Sequence, residues 1–445
     1  MATVLLICSG CASYSQSFQT VEIKLLNNDP AGALEALDKQ SHSNKDLFLY
    51  ASNKATILRM LNKYSESNAE IEKAKAIIEK YSALSISETA SSFIINDASQ
   101  TYIGSPVEQI MLNIYAALNY LEMKDLDAAR VEILQINIRL RTLMQDDPDS
   151  PLSIDPFAHY MSGIIYEDLG EWSDAMIAYR KAYHAYQRHS SLYSIAVPQQ
   201  LKRVLILMAD KIGLDEERRK YEQEFLLQLT DLQVQSQNQA ELVFLFHNGL
   251  APIKQESSIN VLEPSSGHMI RISLPRYVNR GTTIAKARLS IQRPGSKQQN
   301  ISLSIETEKT EDIGMLEIES LKAQMGVITA RAIARAVAKH EASNEAGKQN
   351  DLIGLIVNIA GVLTERADTR SWLTLPAEIQ MARLNAPADT YNVIIEFIDH
   401  NNHTLFQRSL GKIKLNNERK QYLSTHWASV SVIPNGTPVE SKERH

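Results

Sequence analysis

The stretch from Phe157 to His189 restricts the fold of this chain more than any other part of the sequence. Small and aromatic residues recur there at helical spacing, in the order Gly163, Tyr166, Gly170, Ala175, Tyr179 and Ala182. Two helices that meet through small residues can cross closely, while aromatic rings fill the space beside the crossing. Gly170 suits the end of the first helix, because glycine adopts the left-handed conformation of a helix cap. The spacing therefore predicts an antiparallel pair of helices.

These six residues resemble the packing positions of the tetratricopeptide repeat (TPR). His159 is a departure from the family pattern, which has another large residue four positions before Gly163. The resemblance implies stacked helix pairs with a concave face that binds extended peptides or partner helices. A generic helical bundle is the alternative. Weaker copies of the pattern occur at Phe48–Tyr81, Leu112–Leu143 and Val204–Phe225, and an initial copy is suggested by Ala33 and Leu37.

The second half of the chain has the alternating pattern of β-strands. The period changes at about Ala240, and Asn248-Gly249 follows an apolar run, which predicts a hairpin turn between two strands. This pattern favours a β-sandwich. The fold class predicted for the chain is therefore α+β. Further strand candidates are His268–Leu274, Thr283–Gln292, Asn300–Glu306, Tyr391–Phe397, Thr404–Leu410 and Trp427–Ile433.

A helical stretch interrupts these strands. Asp312–Glu341 has a helical period and few helix breakers, and Leu352–Glu365 is apolar on most sides. The second segment is too short to span a membrane, which takes about 20 apolar residues. It packs in the core of the domain or lies on lipid or on a partner, and we favour the core.

These patterns divide the chain into four parts. They are a lipoprotein signal peptide at 1–11, a TPR-like helical domain at 12–235, a β-rich domain at 236–435 with the helical insertion at about 312–367, and a disordered tail at 436–445. The net charge of −6 argues against a nucleic-acid partner, which would favour a basic surface. The first 235 residues contain 31 acidic and 22 basic residues, so the helical half is the acidic one.

The N-terminus indicates a cellular location. The apolar run Val4–Ile7 is followed by the small residues Ser9-Gly10 and then by Cys11, which resembles the lipobox of bacterial lipoproteins. In that family the cysteine thiol is diacylated, and two acyl chains anchor a protein stably. Cys8 stands where the family usually has leucine, and no lysine or arginine precedes the run, so we expect a start upstream of Met1. The alternative is a short buried strand with two free cysteines.

The segment from Asp368 to Pro376 combines charged, aromatic and turn-forming residues. A functional interpretation makes Arg370 an anion site and Trp372 a binding platform. A structural interpretation, which we favour, places Trp372 between helix and sheet and pairs Arg370 with Asp368, because a buried charge needs a partner. The residues of interest are Asp368, Thr369, Arg370, Trp372 and Pro376.

The whole chain resembles poorly characterised lipoproteins of Gram-negative bacteria that combine TPRs with a C-terminal domain. The shared features are Cys11, the repeats, Asn248–Pro252 and the segment Asp368–Pro376. The lack of an aspartate after Cys11 implies sorting to the outer membrane. The resemblance implies a role in the cell envelope and assigns no catalytic residue.

No catalytic motif occurs in the sequence, so we expect no enzymatic activity, no cofactor, no metal and no small-molecule substrate. Asp399–His403 suits a turn better than a metal site. The hypothesis is therefore an outer-membrane lipoprotein on the periplasmic side that binds other envelope proteins through its helical repeats. The alternative is a soluble cytoplasmic TPR adaptor.

Overall fold

The computed structural model describes residues 14–85, 100–146, 155–193, 195–236, 239–262, 269–294, 302–349, 366–417 and 419–428. The predictions for Cys11, for Leu352–Glu365 and for the tail at 436–445 lie outside these residues. None of the helices in the described ranges is both long enough and apolar enough to cross a membrane.

The N-terminal half consists of helix pairs, as TPR-like arrays do. Adjacent helices pair as α2 with α3, α4 with α5, α6 with α7, α8 with α9, and α10 with α11. The helices are α1 (Tyr14–Ser17), α2 (Gln19–Leu26), α3 (Pro30–Asp38), α4 (Leu47–Met60), α5 (Tyr64–Ser85), α6 (Pro106–Glu122), α7 (Leu126–Asp146), α8 (Pro156–Leu169), α9 (Trp172–Tyr193), α10 (Gln199–Lys211), α11 (Asp215–Phe225) and α12 (Leu229–Ser236), with a 3-10 turn at Asn44–Asp46.

Local signals start and stop these helices. Ser105 and Glu108 form a reciprocal capping box at the start of α6, where Pro106 occupies the first turn. The Asp155 side chain accepts a hydrogen bond of 2.8 Å from the Ala158 amide at the start of α8. Gly170 ends α8 with φ of 78°, in the left-handed region that glycine adopts without strain.

The described residues of the C-terminal half form three sheets and one long helix. The first sheet has the order β10-β1-β7-β6, the second sheet the order β5-β4-β8-β9, and β2 and β3 form a separate ribbon. Within these described ranges, β1 and β10 pair in parallel and the other strand pairs are antiparallel. The elements are β1 (Gln239–Asn248), β2 (Ile253–Leu262), β3 (Met269–Val278), β4 (Ile284–Gln292), β5 (Ser302–Glu306), β6 (Glu308–Glu311), α13 (Ile313–Gln349), β7 (Glu378–Pro387), β8 (Thr390–Asp399), β9 (Thr404–Lys414) and β10 (Gln421–Trp427).

The structure corrects one prediction about strands. Asn248-Gly249 forms no hairpin, because β1 pairs with β7 and β10 while β2 pairs with β3. The Asn248 side chain instead donates to the carbonyl oxygen of Ile284 at 2.8 Å, which holds the end of β1 next to β4. β10 ends at Trp427, and of the strand predicted at Trp427–Ile433 only the first two residues lie within the described ranges.

The first sheet lies between the helices and the second sheet. On one face, Phe244 and Phe246 of β1 join residues of β4 and β8 in a shared apolar cluster. On its other face, Val243 and Leu245 join the cluster that contains α4, α6 and α8. Because strand side chains alternate between faces, β1 contributes to both clusters. The described part of the chain is thus an α+β structure in which helices and sheets share a continuous core.

Candidate functional site between the helices and the first sheet

The TPR packing positions meet at the crossing of α8 and α9. A Cβ atom on Gly163 would lie 2.4 Å from Cδ1 of Tyr179, so only glycine fits there. Ala175 and Ala182 are fully buried in α9, and Tyr166 is nearly buried in α8. The Tyr179 hydroxyl reaches across the crossing and donates a hydrogen bond to Glu167.

Trp372 joins the segment before β7 to two helices of the array. Its side chain is 2 % exposed, and its indole nitrogen donates to Thr56 Oγ1 at 3.0 Å and to Thr374 Oγ1 at 2.9 Å. Its ring packs edge-on against Tyr115 with centroids 5.7 Å apart. Its backbone amide donates to Oε1 of Glu108 at 2.6 Å. This segment therefore fastens the β-rich half to α4 and α6.

Arg370 connects the same segment to Asp46 and Gln100 in the N-terminal half of the chain. Its guanidinium contacts Asp368 at 2.8 Å, Asp46 at 3.2 Å and the Gln100 carbonyl oxygen at 2.9 Å. Burial raises the pKa of Asp368, but the hydrogen bonds and charge of Arg370 outweigh it and hold that pKa below its usual value. A carboxylate paired in this way fixes the guanidinium in place.

The two remaining residues of the motif lie on either side of this contact. Thr369 is half-buried and borders a cleft next to Arg370, and Pro376 is buried just before β7.

A second group of charges, which the sequence did not indicate, joins α8 to the first sheet. Arg383 of β7 contacts Glu167 at 2.8 Å and Glu241 at 2.5 Å. Lys420 contacts Glu241 and also Glu167, the latter at 3.2 Å. Burial raises the pKa of Glu241, but Arg383 and Lys420 hold that pKa far below its usual value. We call these four residues the seam network.

Other buried titratable groups lie along the same boundary. Burial raises the pKa of Glu108 to about 7, with Glu317 nearby adding to the shift. His247 of β1 and His426 of β10 stack with ring centroids 4.1 Å apart. Burial lowers the pKa of both imidazoles well below the usual value, so both are neutral in the folded protein.

These groups connect the helices to the first sheet. Each carboxylate of the seam network faces a cation, and the Trp372 contacts are packing contacts and hydrogen bonds. Among the residues that the structure describes, no three metal-ligating side chains come together. The geometry therefore supports a rigid connection between the two halves.

Comparison with family models gives a match to part of the chain. A family model for the cohesin loading factor matches residues 55–251, which is less than half of the chain. No curated protein sequence matches this chain.

Solved structures of other proteins match part of the chain. The apo form of RapI is 12 % identical, with 47 % of this chain and 52 % of RapI covered and a TM-score of 0.36. The Rap conjugation gene regulator of the plasmid pLS20, in complex with the Phr* peptide, is 13 % identical over 50 % of this chain and 57 % of the regulator, with a TM-score of 0.29. MamA from Desulfovibrio magneticus RS-1 is 13 % identical over 49 % of this chain and 92 % of MamA, with a TM-score of 0.29. The chain thus spans about half the length of RapI, and these TM-scores are too low to carry an argument about function.

Proposed function

We propose that this chain is an outer-membrane lipoprotein that serves as a protein-binding scaffold for assembly or regulation of the bacterial cell envelope. Helical repeat arrays commonly bind other proteins and seldom carry catalytic groups. The match of residues 55–251 to a family named for a loading factor fits such a role. We assign no reaction and no cofactor to the chain.

The observation that carries this proposal is that the first sheet covers α4, α6 and α8, each of which is the first helix of its pair. Nearly every residue of α6 is buried, and Tyr115 of this helix packs against Trp372 and His247. The two facing sheets, which we interpret as a β-sandwich, thus hold the array in one shape. A partner then binds the outer helices or the turns that join the pairs, since the first helices are already covered.

The proposed location rests on Ser9-Gly10-Cys11 and its resemblance to the lipobox. We would express the gene with its upstream region in a Gram-negative host and supply labelled palmitate. We expect label on the protein and fractionation with the outer membrane. Cys11→Ser should abolish both, whereas the neighbouring Cys8→Ser should abolish neither. Label that persists in Cys11→Ser would refute the lipid anchor.

The same experiment tests the alternative of a cytoplasmic adaptor. An unlabelled protein that remains in the cytoplasmic fraction would support that adaptor and contradict the envelope role. Binding to proteins would be tested separately, with a photo-crosslinking residue at Ile138 on the outer side of α7, which is 58 % exposed. Cross-links from an exposed position, with none from buried Ala129, would support the scaffold. Absence of cross-links from every exposed position tried would contradict it.

A further inference from the structure

A groove runs along the turns between helix pairs, next to the loop between β9 and β10. It consists of two cavities of about 650 and 140 Å³, which share Asp168, Asn416, Arg419 and Lys420. The ends of α6 and α8 and one side of α10 form one wall, and the other wall contains Lys414, Asn416, Asn417 and residues 419–422. We call this feature the turn groove.

The turn groove is basic although the helical half is acidic. Of the residues that the structure describes, seven basic and four acidic ones line its two cavities. Each of the four acidic side chains is already engaged. Glu167 and Glu241 belong to the seam network, Asp168 accepts from the Lys420 amide and from the Tyr422 hydroxyl, both at 3.0 Å, and Asp210 accepts from the Gln233 side chain at 3.1 Å.

Several of the basic side chains have no carboxylate partner among the described residues. Lys124, Lys211 and Lys414 are exposed, and none of them forms an ion pair with another residue of the described ranges. The guanidinium of Arg419 donates to the backbone carbonyl oxygen of Asp168. This hydrogen bond does not pair the positive charge of Arg419 with a carboxylate. The groove therefore presents positive charge that an acidic ligand would neutralise.

The uncharged lining suits an extended polypeptide. The exposed side chain of Asn417 carries an amide group, which both donates and accepts hydrogen bonds, as a peptide backbone requires. Trp172 stands at the edge of the larger cavity with 36 % of its surface exposed, and Lys211 Nζ lies 3.9 Å from its ring centre. Exposed tryptophans beside apolar side chains are typical anchors of protein interfaces.

We propose that the turn groove binds an extended segment of a partner protein in which acidic side chains flank apolar ones. This proposal rests on the proposed scaffold function and names the partner's chemistry. Acidic side chains of the segment contact Lys211, Lys414 and Arg419, and an apolar side chain packs against Trp172. The acidic surface of the rest of the helical half disfavours a nucleic acid, whose phosphates would continue beyond the groove.

The test uses the full chain and a defined peptide. The probe is a fluorescein-labelled peptide of twelve residues in which aspartate and glutamate alternate with leucine, and its control has lysine in place of each acid. Fluorescence anisotropy should show binding of the acidic peptide and much weaker binding of the lysine peptide. The affinity should fall as salt is added, because salt screens exposed charges.

Two matched variants locate the site. Lys211→Glu with Lys414→Glu should weaken binding at least tenfold, whereas Lys80→Glu with Lys181→Glu, which makes the same change in net charge at exposed sites outside the groove, should weaken it less than twofold. Trp172→Ala should also weaken binding at least fivefold without changing the net charge. Urea melts equal to that of the unchanged protein would show that the variants are folded.

Three results would overturn the proposal. They are equal weakening in both double variants, equal binding of the lysine peptide, and displacement of the acidic peptide by a twelve-nucleotide oligothymidine. Failure here leaves the scaffold function standing if cross-links from Ile138 are found. Conversely, loss of the lipid anchor in the Cys11 experiment would refute the proposed location while peptide binding in the groove persisted.

Discussion

Replacing Trp372 with alanine should destabilise the protein strongly, because this side chain connects the two halves. The indole is 2 % exposed and contacts Tyr115 of α6 and Thr56 of α4. The Thr56 hydroxyl keeps a second hydrogen bond, to the Ser52 carbonyl oxygen at 3.2 Å. The variant therefore leaves a cavity at the boundary but only a modest deficit in hydrogen bonds.

The magnitude follows from the area that the indole buries. A buried tryptophan removes about 150–250 Å² from water, which at about 25 cal/mol per Å² corresponds to about 4–6 kcal/mol. Loss of its indole hydrogen bonds adds about 1 kcal/mol each, and relaxation of the cavity offsets part of the total. Measured costs for such replacements are about 3–5 kcal/mol, so we expect a loss of about 4 kcal/mol in the free energy of unfolding.

Urea unfolding followed by far-ultraviolet circular dichroism measures this loss without relying on the deleted fluorophore. Trp172→Ala is the matched control, since Trp172 is 36 % exposed and should cost less than about 1 kcal/mol. In a Trp172→Phe protein, the remaining indoles of Trp372 and Trp427 should emit at short wavelength and resist acrylamide. A Trp372→Ala protein within about 1 kcal/mol of the unchanged chain would refute the structural role of this residue.

Three further expectations concern the helix crossing, the stacked histidines and the seam network, and urea melts check each of them. Ala175→Leu should cost about 1–3 kcal/mol by overpacking the buried crossing, while Asp174→Leu on the exposed side should change stability by less than about 0.5 kcal/mol. As the pH falls below about 6.5, the depressed pKa values of His247 and His426 should destabilise the fold, because protons bind the unfolded imidazoles first; replacing both with phenylalanine should remove this contribution. Arg383→Met should cost about 3–5 kcal/mol, since it leaves buried carboxylates with too few cations, and a smaller loss would contradict the importance of the network.

The helix pairs are predictable from sequence because their signals are local. Ala175 and Gly163 lie twelve positions apart on adjacent helices, and the Asp155 and Ser105 caps each act on an amide three residues away. Such contacts depend on periodicity and on short-range chemistry, both of which a single sequence contains. The fold of the N-terminal half therefore follows closely from its residues.

The strand pairings depend on distant residues, and there local rules failed. Asn248-Gly249 has the composition of a hairpin turn, yet β1 finds its partners in β7 and β10, far along the chain. The apolar alternation of β1 is compatible with many partners, and only the packing of the whole core selects between them. An Asn-Gly pair allows a tight turn, but it does not determine which strand lies beside β1 in the sheet.

The candidate site was predictable only in part for the same reason. Trp372 and Arg370 stand out as large or charged residues beside an apolar segment. Their partners, Thr56 of α4 and Asp46 of the preceding 3-10 turn, lie more than three hundred residues earlier in the chain. The seam network gave no signal, because Arg383 is separated from Glu241 by many residues and each occupies an ordinary strand position. No regular spacing in the sequence predicts which distant side chains meet in the folded chain.

The shared core leads to a last prediction, about the division at residue 235. Val243, Ile379 and Tyr422 belong to the same apolar cluster as the buried residues of α4, α6 and α8. A fragment of residues 12–235 would expose that side of the array to water, and exposed apolar surface of this kind binds hydrophobic dyes. We expect the fragment to bind anilinonaphthalene sulfonate and to unfold at lower urea than the full chain, and a separately produced fragment of residues 236–445 should reverse both effects when added. A monomeric fragment that unfolds at the same urea concentration as the full chain, without binding dye, would show that the helices need no cover from the sheet.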